Sequence, residues 1–185
     1  MSARFSAEQT PLEGVLHLTR TPIGDARGFL ERIFCLEDVP AWGGRAIAQI
    51  NRTRTQTRGT VRGLHFQHPP HAECKYVTCL SGKVFDVAMD LRAGVSTYGQ
   101  WFGVELSGEA HNALIIPEGF AHGFQTLSDD VEMLYLHSAA YNGEAEGGIN
   151  ALDETLDINW PAEVTQLSAR DEALPALRDF KGVTL

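Results

Sequence analysis

Hydrophobic residues along this chain gather in short runs separated by glycine and proline. Residues 14–18, 75–79, 83–91, 101–106, 113–116 and 131–137 each combine β-branched and aromatic side chains over the length of a strand. The clearest run is 83–91, where Phe85, Val87, Met89 and Leu91 alternate with Val84, Asp86, Ala88 and Asp90. That period of two predicts a strand with one face in a core. Helical periodicity is weak, with residues 36–42 and the C-terminal stretch the only candidates, and Ser168 is placed to open one helical turn within 168–177. Residues 153–161 read as loop and turn. Strands at such close spacing predict an all-β protein, an antiparallel sandwich or barrel with short C-terminal helical segments. No repeat, low-complexity tract or linker divides the chain, so residues 1–185 read as one domain.

Composition narrows the partners. A net charge of −9 repels a polyanion, so a nucleic-acid scaffold is not expected. A few focused arginines still suit a small anionic ligand. No apolar run approaches the roughly 20 residues that span a bilayer. The first residues lack the apolar core of a signal peptide, which makes a cytoplasmic protein without membrane contact the expectation. Cys35, Cys74 and Cys79 contain no CxxC pair, and reduced, partly buried thiols are expected.

A barrel of this size has room in its mouth for one small ligand. The densest chemistry is Arg62-Gly-Leu-His65-Phe-Gln-His68-Pro-Pro-His71-Ala-Glu73-Cys-Lys75. His122 follows in Ile116-Pro-Glu-Gly-Phe-Ala-His122-Gly-Phe124, where proline and two glycines predict tight turns, and Tyr135, Tyr141 and Asp171 complete the candidates. Two chemistries suit this set. In the first, His65, His68 or His71, Glu73 and His122 hold a metal, although residues 65 and 68 of one strand face opposite sides. In the second, no metal is used: His65 paired with Asp171 is a general base, Lys75 stabilises an oxyanion, and Tyr135 donates a proton from the other side. Residues 65 and 75 are expected to converge from adjacent strands. A third reading is a non-catalytic binding protein of the same shape. Taken singly, each histidine is as well explained as a structural or surface residue.

Six segments, in order and at near-equal spacing, resemble the dTDP-4-dehydrorhamnose 3,5-epimerase family. They are Arg62-Gly-Leu-His-Phe-Gln67, Lys75, Val84-Phe-Asp-Val-Ala-Met-Asp-Leu-Arg92, Thr97-Tyr-Gly-Gln-Trp101, Ile116-Pro-Glu-Gly-Phe-Ala-His-Gly-Phe124 and Leu167-Ser-Ala-Arg-Asp171. The resemblance implies a cupin-type sandwich or jelly-roll barrel, usually a strand-exchanging homodimer. Its implied activity is inversion of C3 and C5 of a nucleoside-diphosphate 4-keto-6-deoxyhexose, with no metal or redox cofactor. Carried over position by position, it makes His65 the base, Asp171 its orienting partner, Lys75 the enolate stabiliser and Tyr135 the acid. Arg27 and Arg62 would lie near the diphosphate, Glu31, Gln49 and Asn51 at the nucleotide or sugar, and His122 in the sugar pocket. Tyr141 is the later tyrosine retained after the Tyr135 strand. With strand exchange, Arg27 and Glu31 would reach a neighbouring subunit's site. The chain departs from the family pattern in Tyr135-Leu-His-Ser-Ala-Ala-Tyr141 and in Ile149-Asn-Ala-Leu-Asp153. Both departures fall near the expected nucleotide, so the nucleobase, the sugar and the choice of one or two inverted centres stay open.

Overall fold

The computed structural model describes residues 4–185, and its regular structure is almost wholly antiparallel strand. One sheet of six strands runs in the order β1 (Phe5–Gln9), β2 (Leu16–Arg20), β10 (Asn112–Ile116), β7 (Lys75–Ser81), β12 (Val131–His137) and β5 (Gln49–Thr55). The facing sheet of five has the order β13 (Glu146–Gly148), β6 (Val61–Gln67), β11 (Phe120–Thr126), β8 (Lys83–Asp90) and β9 (Trp101–Ser107). A separate hairpin pairs β3 (Ile23–Asp25) with β4 (Gly28–Leu30). The only α-helix among the described residues is the single turn α1 (Ala169–Glu172).

Side-chain alternation sorts the strands into three apolar layers. Val77 and Cys79 of β7, Leu114 and Ile116 of β10, and Val131, Met133 and Tyr135 of β12 meet Val84, Ala88, Phe120 and Phe124 between the sheets. The alternate residues Tyr76, Ala113, Ile115 and Leu136 pack outward beneath Val39 and Trp42. On the far side, Val87 and Met89 of β8, with Leu91 just beyond it, pack under Ile149, Leu156, Val183 and the partly buried Trp160 and Phe180. Burying a large aliphatic side chain in such a layer contributes about 1.5–3 kcal/mol.

The expectation of one buried face on β8 is therefore corrected. Both faces are covered, because the C-terminal segment folds back over the five-stranded sheet. The polar-looking face, with Asp86 on it, is the one that points between the sheets. Residues 36–42 give only a 3-10 turn at Pro40–Trp42, whereas the turn opened by Ser168 is present, with its Oγ accepting from the Asp171 amide at 3.1 Å.

Three strands that frame the cleft carry no clear apolar period. In β5 the inward residues are Gln49, Asn51 and Thr53, while Ile50 on the other face is 60% exposed. β11 is buried along its whole length, so nothing in it alternates; the turn predicted there is confined to Gly119, at φ +83°. β6 and β11 approach very closely at a bulge, where a Cβ on Gly123 would lie 2.6 Å from the Arg62 carbonyl oxygen. That approach sets His65 directly opposite His122.

Candidate active site

A cleft of about 830 Å³ opens between the sheets, lined by β6, β11 and α1 on one side and by β5, β7 and β12 on the other. Nine of the expected residues line it: Gln49, Asn51, Arg62, His65, Lys75, His122, Tyr135, Tyr141 and Asp171. His65 and Lys75 arrive from facing sheets, not from adjacent strands as expected, because the chain between them crosses from β6 to β7.

His65 is held by a carboxylate from the C-terminal segment. Its Nε2 lies 2.7 Å from Asp171 Oδ1, and the Gly63 amide donates to Asp171 Oδ2 at 3.3 Å. Asp171 is oriented in turn by the Ser168 cap. A carboxylate accepts only, so the neutral imidazole carries its proton on Nε2 and presents Nδ1 as the free base. Burial dominates the His65 pKa and draws it below the ordinary imidazole value, against the hydrogen bond and charge of Asp171.

Lys75 is buried, and its Nζ donates to the His65 carbonyl at 3.0 Å and faces Glu73 Oε1 at 3.2 Å. Burial alone would raise the Glu73 pKa, but His137 and Lys75 together hold it below the usual carboxylate value. Tyr135 enters from β12, and among the described residues its hydroxyl has one hydrogen-bond partner, Thr53 Oγ1, at 3.5 Å. Burial pushes its phenol well above the usual range, so it stays protonated at neutral pH and is suited to act as an acid. The base and the acid thus stand on opposite walls, with the ammonium group of Lys75 between the sheets.

Further along the cleft, Tyr141 donates through its hydroxyl to Glu146 Oε2 at 2.7 Å and through its amide to Gln49 Oε1 at 2.9 Å. Arg170 also pairs with Glu146. Arg62 forms no salt bridge among the described residues, which leaves its guanidinium for an anion. His122 stands on the cleft floor with Nε2 2.9 Å from the fully buried Asp86. The sequence reading missed Asp86; its signal was a carboxylate on the inward alternation of a core strand.

Two expected residues are elsewhere. Arg27, on the β3–β4 hairpin, pairs with Asp25 and is largely exposed. Glu31 accepts from the buried Arg20 at 2.7 Å and faces His111 Nδ1 at 2.9 Å. Within one chain neither lines the cleft. The donor set considered for a metal is not assembled: among the described residues no three His, Cys, Asp or Glu side chains are grouped to hold an ion. His71 Nε2 faces Asn142 at 3.0 Å, and His68 leans on Phe66, away from His65.

With this geometry in hand, the sequence profile of the dTDP-4-dehydrorhamnose 3,5-epimerase family matches residues 9–179. The chain belongs to that family. It is 42% identical over 171 residues to the dTDP-4-dehydrorhamnose 3,5-epimerase of Salmonella typhimurium, covering 91% of this chain and 93% of that one. A dTDP-4-dehydrorhamnose 3-epimerase of Streptomyces niveus is 39% identical over 163 residues, covering 87% and 78%. The crystal structure of a dTDP-6-deoxy-D-glucose-3,5-epimerase from Legionella pneumophila, in complex with dTDP-4-keto-L-rhamnose, matches with a TM-score of 0.88 at 38% identity, covering 94% and 93%. The family, the all-β cupin-type fold and the isomerase class expected from the six segments all stand. The three cysteines are free, and burial pushes the Cys74 thiol up to about 12 and Cys79 up to about 11, which leaves both unreactive.

Proposed function

We propose that this epimerase-family protein inverts a stereocentre beside the ketone of a nucleoside-diphosphate 4-keto-6-deoxyhexose, using His65, Lys75, Tyr135 and Asp171. The convergence of the His65–Asp171 pair, Lys75 and Tyr135 on one cleft carries this reading. C3 and C5 both flank the C4 carbonyl, so a proton lost from either leaves an enolate with its charge on the C4 oxygen. His65 Nδ1 takes the proton, and Asp171 stabilises the resulting imidazolium. Lys75 supports the enolate oxygen, the role for which a positive group in a water-poor site is most effective. Tyr135 then gives its proton to the carbon from the opposite face, and solvent restores both groups. No electron leaves or enters the substrate.

Arg62 is proposed to meet the diphosphate, with Gln49, Asn51, His122 and Tyr141 contacting the remaining parts of the ligand. The protein is further proposed to act as a cytoplasmic homodimer. In support, Ile23, Phe29 and Leu30 of the β3–β4 hairpin are 50%, 65% and 69% exposed, more apolar surface than a lone hairpin sustains in water. In such a dimer Arg27 and Glu31 would serve the partner's cleft.

Incubation with dTDP-4-keto-6-deoxyglucose in deuterium oxide tests the activity. Solvent deuterium is expected at both C3 and C5. Exchange at C3 alone would place the protein with relatives like the Streptomyces niveus 3-epimerase. Exchange at neither carbon, also with other nucleotide forms of the sugar, would refute the reading.

A further inference from the structure

One imidazole of the cleft has no part in the mechanism above. His137 closes β12, in register with Lys75 on one side and Gln49 on the other. Its ring lies nearly parallel to that of Tyr135, with centroids 6.1 Å apart, and both line the cleft. Glu73 fixes that ring. The carboxylate Oε2 faces His137 Nδ1 at 3.2 Å and accepts from Gln67 Nε2 at 2.8 Å, while Oε1 faces Lys75 Nζ at 3.2 Å. Because Glu73 can only accept, the proton of the neutral ring sits on Nδ1 and the lone pair on Nε2.

That Nε2 is buried and has no hydrogen-bond partner among the described residues. A buried acceptor oriented by a second side chain and left unsatisfied is costly unless something supplies a donor. Of the groups on a 4-keto sugar nucleotide, the ketone and the ionised phosphates only accept. Hydroxyls and the nucleobase can donate, and the neighbours of His137 are Lys75 and Tyr135, both of which are proposed to act on the sugar ring.

We propose that His137 is a specificity-determining substrate contact, its Nε2 accepting a hydrogen bond from a hydroxyl of the sugar ring. This rests on the epimerase reading and adds a requirement to it: the enzyme selects sugars that keep a hydroxyl at C2 or C3 over deoxygenated ones. Sites built to pair a substrate hydroxyl discriminate well against analogues lacking it, since the site's own polar group is then left bare.

The test compares dTDP-4-keto-6-deoxyglucose with its 2-deoxy and 3-deoxy analogues, reading solvent-deuterium exchange at C3 and C5, since both carbons carry hydrogen in all three. In the unaltered protein one analogue is expected to lose about 10- to 100-fold in kcat/KM. His137→Leu is expected to lose a similar factor on the parent compound and then to treat that analogue and the parent alike. Equal rates for all three compounds in the unaltered protein would overturn the proposal, with no variant needed. A uniform loss across the three in His137→Leu would also overturn it, by showing that the ring only packs. Absence of exchange at both C3 and C5 of the parent compound, also with other nucleotide forms of the sugar, would instead defeat the epimerase reading itself.

Discussion

Two imidazole–carboxylate pairs stand opposite each other on neighbouring strands, and they are built for different work. His65 and Asp171 are 2.7 Å apart, His122 and Asp86 2.9 Å, so hydrogen-bond length does not separate them. Access does. The His65 side chain is 30% exposed to the cleft, whereas those of His122 and Asp86 are 6% and 0% exposed. Asp171 comes from a capped turn outside the sheet and has both oxygens engaged. Asp86 comes from the adjoining core strand, and its Oδ1 has no hydrogen-bond partner among the described residues. A carboxylate satisfied on both sides can tune a base that meets substrate. One buried with a single partner depends on that partner for its own tolerance of burial. The same chemical pair thus supplies a reactive wall in one place and a floor in the other.

The comparison breaks most sharply at His65. Removing a general base costs about 10²- to 10⁴-fold in rate. His65→Ala is accordingly expected to lose that much in solvent-deuterium exchange while dTDP binding, followed by calorimetry, changes little. Its melting temperature should stay close to that of the unaltered protein, because a partly exposed ring on the cleft wall is removed and Asp171 keeps its Gly63 amide. A large fall in melting temperature, or undiminished exchange, would erase the proposed distinction.

His122→Ala should behave in the opposite way. It leaves Asp86 buried with neither oxygen paired, and breaking a buried pair by removing one partner costs about 3–5 kcal/mol. For a chain of this size that corresponds to a fall of roughly 6–20 °C in thermal unfolding. Adding Asp86→Leu, which removes the stranded carboxylate, is expected to restore part of the loss. If the double variant is no more stable than His122→Ala, the floor does not depend on the pairing of Asp86.

This contrast also shows what the amino-acid sequence makes legible. The alternation of residues 84–91 is enough to predict β8, because Val87, Met89 and Leu91 really do bury one face. It misleads about the other face, because Asp86 is polar for the sake of His122 and not of solvent. β5 escapes notice for a related reason. Gln49, Asn51 and Thr53 line a cleft, so its inward residues read as a surface. The glycines near His122 look like turn formers, yet Gly123 serves a close strand approach that only tertiary structure creates. That His65, Lys75, Tyr135 and Asp171 share one cleft is legible through chemistry and family pattern. The origin of His65 on one sheet and of Lys75 and Tyr135 on the facing one is not, since chain spacing carries no record of which sheet a strand joins.

The smallest effect concerns the titration of His65, and its sign follows from the two opposing influences on the ring. Burial favours the neutral form and is the larger, while Asp171 favours the protonated form; Lys75 and Arg170 add a small push toward neutrality. A base works only when unprotonated, so activity falls as pH drops through the folded-state pKa. That pKa lies below the ordinary imidazole value of about 6.5. The acid limb of the kcat/KM profile is therefore expected below about 6.5, and the free enzyme should keep a competent base at mildly acidic pH. Asp171→Asn removes the one influence that raises the pKa while leaving an acceptor for Nε2–H. Its residual activity should show the acid limb moved to still lower pH. A limb displaced upward by Asp171→Asn would mean that the titrating group is not His65, and the cleft would then need a different base.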